Sequence, residues 1–196
     1  HTGRGHCAQL GRESGGVLVT GGEDRKVNLW GVGRPHAILS LAGHQSAVDA
    51  VTFGPGEGRV LSGAAGGTVK EFDLDAARAT RTLSGHRANC LALAYHPFGE
   101  FFASGSADCN LKVWDLRAKA CIHTYKGHER EVGCVRFSPD GRWVASGSRD
   151  GAVRLWDLTA GRLLSSVPAA HSGGGGAAGG GVSGLEFHPS EYLLAT

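Results

Sequence analysis

The stretch GHEREVGCVRFSPDGRWVASGSRDGAVRLWD at residues 127–157 carries the pattern that decides the fold of this chain. It begins with Gly-His and ends with Trp-Asp. Two segments, SPDG at 138–141 and RDG at 149–151, divide it into short apolar runs. Proline fixes φ and glycine accepts positive φ, so both segments favour tight turns. The stretch therefore predicts antiparallel β-strands that are joined by hairpin turns.

The same residue types recur along the chain with a step of 42 residues, apart from two steps of 43 between histidines. The recurring residues are Trp30, Phe72, Trp114 and Trp156; Thr20, Ser62, Ser104 and Ser146; Asp24, Gly66, Asp108 and Asp150; and His1, His44, His86, His128 and His171. A period of about 40–45 residues with Gly-His and Trp-Asp marks is typical of β-propeller blades, each of four antiparallel strands.

The period divides the chain into about four and a half blades of an all-β WD-repeat propeller. The blade units are approximately 1–43, 44–85, 86–127, 128–170 and an incomplete unit at 171–196. A seven-bladed propeller needs roughly 290 residues, and this chain has 196, so we expect part of a larger ring. Residues 172–181 are rich in Gly and Ala, which predicts an inserted surface loop.

Composition narrows the possible functions. A net charge of +2 is too small to indicate nucleic-acid binding, and the absence of a run of 18 apolar residues argues against a membrane span. The five cysteines form no C-x-x-C pair, so we predict neither a zinc site nor another cofactor. Cysteines inside strand patterns fit a reducing, cytoplasmic compartment.

The recurring His, Ser and Asp could be mistaken for a catalytic triad. A hydrolase needs one activated nucleophile in one cleft, whereas these residues recur at equal spacing, so we predict no enzyme. We interpret them as hydrogen-bonded structural sets, in which the hydroxyl accepts from the indole and the His donates to the hydroxyl and is oriented by the Asp. The predicted sets are His1, Thr20, Asp24 and Trp30; His86, Ser104, Asp108 and Trp114; and His128, Ser146, Asp150 and Trp156.

The second unit departs from this plan. Gly66 replaces the Asp and Phe72 replaces the Trp, so His44 and Ser62 are what remains of the set. The two changes are consistent with each other, because Phe has no N–H group that needs an acceptor. We expect a looser blade, and the alternative that it is a specialised binding edge stays open.

Several longer segments resemble the WD-repeat domain of the katanin regulatory (non-catalytic, B-type) subunit. They include ILSLAGH at 38–44, HPFGEFFASGS at 96–106, LWDLTAG at 155–161 and FHPSEYLLA at 187–195. The resemblance implies a scaffold and targeting subunit of an AAA ATPase that severs microtubules. It further implies action at microtubules, spindle poles or centrosomes in the cytoskeleton, with the catalytic subunit bound through a separate C-terminal helical domain outside this chain.

A second interpretation is a generic WD-repeat interaction scaffold. Trp114-Asp115-Leu116-Arg117 resembles the Trp-Asp-x-Arg box of substrate receptors for cullin-RING ubiquitin ligases. Arg117 follows a predicted strand, so it could reach an adaptor protein.

Propellers usually bind other proteins beside the turn that precedes the third strand and just after the repeated His. The candidates at these places are Glu23, Arg87, Asn89, Glu129, Arg130, Glu131 and Arg149. Arg130 and Arg149 are the strongest candidates for contact with acidic tubulin tails, through charge attraction.

Overall fold

A computed structural model of the chain describes residues 1–168, 181–188 and 193–196. The regular structure in these residues is almost entirely β-strand, and the strands form four successive four-stranded antiparallel sheets followed by one short pair. This confirms the predicted all-β blade architecture. Most of the predicted inserted loop, residues 172–180, and the fifth repeated His, His171, lie outside the described residues.

The first two sheets, called blade 1 and blade 2, each follow chain order from the inner to the outer strand. Blade 1 consists of β1 (Gly5–Leu10), β2 (Val17–Gly22), β3 (Val27–Gly31) and β4 (Ala37–Leu41). Blade 2 consists of β5 (Val48–Phe53), β6 (Arg59–Ala64), β7 (Thr68–Asp73) and β8 (Arg78–Ser84), with a short 3₁₀ turn at Pro55–Glu57 between its first two strands.

The next two sheets repeat the plan and are called blade 3 and blade 4. Blade 3 consists of β9 (Cys90–Tyr95), β10 (Phe101–Ser106), β11 (Leu111–Asp115) and β12 (Ala120–Tyr125). Blade 4 consists of β13 (Val132–Phe137), β14 (Trp143–Ser148), β15 (Val153–Asp157) and β16 (Arg162–Val167). The final pair is β17 (Glu186–Phe187) and β18 (Leu194–Ala195).

The turns of blade 4 form where proline and glycine predict them. Ser138 accepts a hydrogen bond from the backbone N–H of Trp143 at 3.0 Å, and Gly141 in this turn has φ of 70°. Between β14 and β15, Gly151 has φ of 82°, a left-handed conformation that glycine adopts without a Cβ penalty. Cys109 holds the same turn position in blade 3 with φ of 65°.

The chain forms two compact units, His1–Leu93 and Ala94–Thr196. In the first unit β5 packs on β1 and β2. Its core cluster contains Val19, Val27, Leu41, Val48, Phe53, Val60 and Phe72. In the second unit β13 packs on β10, and a cluster beside blade 4 contains Cys134, Ala145, Val153, Val182 and Leu185. Within each unit, packing of one blade on the next removes apolar sheet faces from water.

Candidate functional site

The repeated polar residues of blade 4 form a continuous hydrogen-bonded chain, here called the blade-4 polar set (His128, Ser146, Asp150 and Trp156). The indole Nε1–H of Trp156 donates to Ser146 Oγ at 2.8 Å. His128 lies with Nε2 2.8 Å from Ser146 Oγ and with Nδ1 2.9 Å from Asp150 Oδ2. Trp and Ser project from β15 and β14, whereas His and Asp come from the loops at one end of these strands. Strand pairing therefore brings together residues that are 28 positions apart, from His128 to Trp156.

Charge and burial fix the direction of donation in this set. Desolvation by burial lowers the pKa of His128 despite the nearby Asp150 carboxylate, so the ring is neutral at pH 7. Burial also opposes the ionised form of Asp150, but hydrogen bonds from Ala152 N–H, His128 and Glu129 N–H outweigh it, and the Asp150 pKa is lowered. His128 Nδ1–H therefore donates to the carboxylate and Nε2 accepts from Ser146. This is the reverse of the expected donation from His to hydroxyl.

Blade 1 forms the same arrangement. His1 Nδ1 lies 2.7 Å from Asp24 Oδ1, and His1 Nε2 lies 2.7 Å from Thr20 Oγ1. Trp30 Nε1–H donates to the same hydroxyl oxygen at 2.8 Å. The backbone N–H of Thr2, directly after the His, donates to the second Asp24 oxygen at 3.1 Å. The Asp therefore holds both the His ring and the chain that follows it.

Blade 3 repeats the indole–hydroxyl contact inside the second unit. Trp114 Nε1–H donates to Ser104 Oγ at 2.7 Å, and both side chains are buried. Asp108 accepts a hydrogen bond from Asn110 N–H at 3.0 Å within its turn. His86 belongs to the first unit, where it is also buried.

Blade 2 retains two of the four residues. His44 Nε2 lies 2.7 Å from Ser62 Oγ, and Ser62 Oγ also lies 3.4 Å from the carbonyl oxygen of Lys70. Phe72 fills the Trp position and is fully buried. Burial, with a smaller contribution from the Lys70 charge, lowers the His44 pKa to about 4. The ring is therefore neutral at physiological pH, and no residue that the structure describes gives Nδ1 a hydrogen-bond partner.

A buried charged group in blade 2 was not identified from the sequence. It is called the blade-2 ionic group and consists of Arg59, Glu71 and Arg81. Glu71 is 0% exposed and its carboxylate contacts Arg81 directly, Arg59 at 3.6 Å and the Thr80 hydroxyl at 2.9 Å. The 42-residue repeat could have revealed it, because Glu71 is charged whereas the residues at the same repeat position in the other blades are apolar: Leu29, Val113 and Leu155.

A groove of about 210 Å³ lies in the second unit, on blades 3 and 4. Its lining is mostly apolar and consists of His96, Phe101, Val113, Ile122, His123, Phe137, Gly141, Leu158 and Thr159. Phe98 N–H donates to His96 Nδ1 at 3.1 Å, so His96 Nε2–H donates to the Gly141 carbonyl at 3.0 Å. Three lining residues, Phe101, Val113 and His123, lie 42 positions after Arg59, Glu71 and Arg81. They therefore occupy in blade 3 the repeat positions that the blade-2 ionic group occupies in blade 2.

The predicted partner-binding residues differ in exposure and in pairing. Glu23, Arg87, Glu129, Arg130 and Arg149 are exposed, and Asn89 and Glu131 are partly buried. Arg149 Nε lies 3.3 Å from Glu131 Oε2, so part of its charge is compensated locally. Asn89 Nδ2–H donates to Asp49 Oδ2 at 3.1 Å, and this contact fixes the amide. In sequence, Arg130 is two residues after His128 and Arg149 directly precedes Asp150.

Arg117 of the Trp-Asp-x-Arg segment lies outside the sheet. Its side chain is 80% exposed, with Nε 3.7 Å from Glu100 Oε2. Asp115 Oδ1 accepts hydrogen bonds from the backbone N–H groups of Arg117 and Ala118, at 2.7 and 3.2 Å, and shapes the turn.

Two structural findings bear on cofactors and membranes. Among residues 1–168, 181–188 and 193–196, no group of three or more His, Cys, Asp or Glu side chains is placed to hold a metal ion. Over the same described part of the chain, no helix has the length and apolar character needed to cross a bilayer.

The blades and their polar sets define a class of protein that comparison with known families also identifies. The family model described as WD domain, G-beta repeat, matches residues 36–73, 77–115 and 119–157, which is more than half of the chain. The chain belongs to the WD-repeat family.

Within that family the chain is similar to katanin p80 WD40 repeat-containing subunits. It is 58% identical over 67 residues to subunit B1 homolog KTN80.3 of Arabidopsis thaliana, covering 34% of this chain and 8% of that protein. It is 49% identical over 67 residues to homolog KTN80.2 of Arabidopsis thaliana, covering 34% and 6%. It is 48% identical over 61 residues to subunit B1 of Danio rerio, covering 31% and 9%. The resemblance inferred from the sequence is confirmed, and it spans under a tenth of each relative.

Proposed function

We propose that the chain is the WD-repeat part of a katanin regulatory subunit, a non-catalytic scaffold that directs a severing ATPase to microtubules. The observation that carries this proposal is the 58% identity to a katanin p80 subunit over 67 residues. The blades present charged loops beside buried polar sets, an arrangement suited to binding proteins rather than to catalysis. The proposed site of action is the cytoplasmic cytoskeleton, at spindle poles or centrosomes, and the catalytic subunit binds outside this chain.

The proposed microtubule contact lies at Arg130 and Arg149 of blade 4. Both side chains are exposed, and positive charge attracts the acidic tails of tubulin. Arg149 already pairs with Glu131, so Arg130 is expected to contribute more to the attraction.

Co-sedimentation with microtubules tests this proposal on the full-length protein together with its ATPase. Changing Arg130 and Arg149 to Glu is expected to weaken binding several-fold and to flatten its dependence on salt. Arg142→Glu is the matched control, because Arg142 is 78% exposed but lies in the turn at the other end of the blade 4 strands. Equal binding by the double variant and the control would contradict the proposed contact, and failure of the unaltered complex to bind microtubules would contradict the function itself.

A ligase-receptor role is the second candidate, and the 80% exposure of Arg117 favours it. The turn that Asp115 holds presents the Arg117 side chain to solvent, where an acidic adaptor could bind it. Co-purification with a ligase adaptor that disappears in Arg117→Ala, but persists in Arg142→Ala, would support this role. An adaptor that is retained by both variants would contradict it.

A further inference from the structure

His44 of blade 2 is a buried histidine with an unsatisfied ring nitrogen. It is 7% exposed, and no described residue offers Nδ1 a hydrogen-bond partner. The corresponding nitrogens of His1 and His128 lie 2.7 and 2.9 Å from an Asp carboxylate. An unpaired buried polar atom costs stability, so blade 2 retains a binding group that its own residues do not use.

The position from which that carboxylate comes in blades 1 and 4 is a glycine in blade 2. Gly66 is exposed, and a Cβ placed on it would contact Ser46 Oγ at 3.3 Å and nothing else described within 4 Å. The turn itself is ordinary, since Ala65 N–H donates to the Ala47 carbonyl at 2.9 Å just as Arg149 N–H donates to the Glu131 carbonyl at 3.0 Å in blade 4. A carboxylate can therefore approach blade 2 from solvent at the place where Asp150 lies in blade 4.

The surroundings of this position favour an anion. Lys70 acts on His44 through its charge and, like burial, lowers the pKa of the ring. In blade 4 the backbone N–H of Glu129, the residue after the His, donates to the Asp carboxylate at 3.0 Å. The residue in that place in blade 2 is Gln45, which is exposed. By register with blade 4, His44 Nδ1 and the backbone N–H of Gln45 are the two donors available at the position beside Gly66. The Lys70 ammonium donates to the Thr82 hydroxyl at 2.7 Å and adds positive charge to the surroundings of His44.

We propose that blade 2 binds a carboxylate side chain from an acidic segment of a partner protein, which accepts a hydrogen bond from His44 Nδ1–H beside Gly66. The carboxylate of the partner takes the place that Asp24 has in blade 1 and Asp150 has in blade 4. The site extends the scaffold role to a chemical class of partner residue, an exposed Asp or Glu, and requires neither microtubules nor the ATPase.

Binding changes the tautomer of His44. In the absence of a partner Ser62 donates to the Lys70 carbonyl, and His44 Nε2–H donates to Ser62. No indole competes for Ser62, because Phe72 has no N–H group. A bound carboxylate accepts only from Nδ1–H, so the proton moves to Nδ1 and Nε2 then accepts from Ser62, as in blade 4.

The test uses the full-length protein and a fluorescein-labelled peptide of alternating Gly and Glu, with the Gly/Gln peptide of equal length as control. Anisotropy is expected to show binding of the Glu peptide alone. Nitrogen NMR of ¹⁵N-histidine-labelled protein is expected to show the proton moving from Nε2 to Nδ1 of one ring as peptide is added. An unchanged ring, or equal binding of both peptides, overturns the site.

Two variants separate this site from general charge attraction. Gly66→Asp supplies the carboxylate internally, so it should weaken peptide binding about tenfold or more while the protein remains folded. Ala65→Glu adds the same charge one residue earlier, at the position where Glu23 stands in blade 1, and should weaken binding by about twofold or less. Equal losses in the two variants overturn the site.

Sodium formate tests whether the ligand must belong to a partner. Formate that binds as tightly as the Glu peptide would contradict an acidic protein segment as the occupant. Microtubule co-sedimentation is measured in parallel on Gly66→Asp. If Gly66→Asp still binds microtubules but no longer binds the Glu peptide, both proposals stand. If the unaltered protein binds the Glu peptide but does not bind microtubules, the proposed function is contradicted and the carboxylate site is not.

Discussion

Blades 2 and 4 share one strand plan but differ in where they place polar groups. Both have four antiparallel strands, a buried His and a buried Ser at the same repeat positions. Blade 4 uses an Asp and a Trp to complete the polar set, whereas blade 2 has Gly66 and Phe72 there. Blade 2 instead buries Glu71 at a position where blade 4 has Leu155. The strand plan therefore depends on apolar alternation and turns, and it tolerates different polar groups placed upon it.

The largest expected effect comes from breaking the blade-2 ionic group. Arg81→Leu removes the direct partner of a fully buried carboxylate and leaves the 3.6 Å contact with Arg59, so we expect a loss of about 3 kcal/mol in unfolding free energy. Replacing all three residues by those of blade 1, Arg59→Val, Glu71→Leu and Arg81→Leu, should restore stability to within about 1 kcal/mol of the original. Urea unfolding measures both. A triple variant as unstable as Arg81→Leu would show that the charges stabilise blade 2.

The second effect compares the two buried serines. Ser146→Ala leaves both the Trp156 N–H group and His128 Nε2 without their hydroxyl partner, so we expect a loss of about 2 kcal/mol. Ser62→Ala removes the hydroxyl partner of His44 Nε2 only, because Phe72 has no N–H group that needs an acceptor. The expected loss in unfolding free energy is about half as large. The denaturant midpoints of the two variants give the ratio. Equal losses would mean that the indole contact adds nothing to blade 4.

The sequence predicted the strands and the polar sets because both follow from local rules. The turn segments at 138–141 and 149–151 divide blade 4 into β13, β14 and β15, as the structure shows. The hydroxyl acceptor for each indole followed from the 42-residue step. The direction of donation between His128 and Ser146 does not follow from the pattern, because it depends on which group burial keeps neutral.

The ionic group and the groove depend on contacts that the pattern does not contain. Glu71 occupies a repeat position that is apolar in the other three blades, so the sequence marks it as unusual. Its partners Arg59 and Arg81, however, come from the two strands on either side of it. Their approach depends on register and on side-chain direction across the sheet. The groove in the second unit likewise requires the loops at His96 and Gly141 to meet, a contact between residues 45 positions apart.

The third prediction concerns a variant in which blade 2 gains the Asp that blade 4 has at the same repeat position. Gly66→Asp places a carboxylate beside His44 Nδ1, and its Cβ meets a side-chain oxygen of Ser46 rather than backbone. We expect a gain of about 1 kcal/mol from satisfying the buried nitrogen. Gly66→Asn supplies an amide oxygen of similar size and should gain less, because a charged acceptor binds more strongly. Thermal or urea unfolding measures the change. A Gly66→Asp variant less stable than the original protein would contradict the view that blade 2 lacks only the carboxylate of blade 4.

The same variant should alter how stability depends on pH. The His44 pKa is about 4 in the folded protein and 6.5 ordinarily, so the unfolded chain binds the extra proton throughout that interval. His44 therefore contributes stability above pH 6.5 that is lost as pH falls towards 4. In Gly66→Asp the carboxylate favours the protonated ring, so less stability is lost between pH 6.5 and 5. Parallel pH profiles of the two proteins would contradict this.

The smallest effect concerns the surface of the same turn. Arg149 and Glu131 of blade 4 are 72% and 41% exposed with 3.3 Å between Nε and Oε2, and blade 2 has Ala65 and Ala47 at these positions. The backbone hydrogen bond beneath them is the same in both blades. Because an exposed ion pair is screened by water and salt, changing both residues of blade 4 to Ala should alter the unfolding free energy by less than about 0.5 kcal/mol. A larger loss, removed by salt, would show that the exposed pair stabilises blade 4 as well as its buried set.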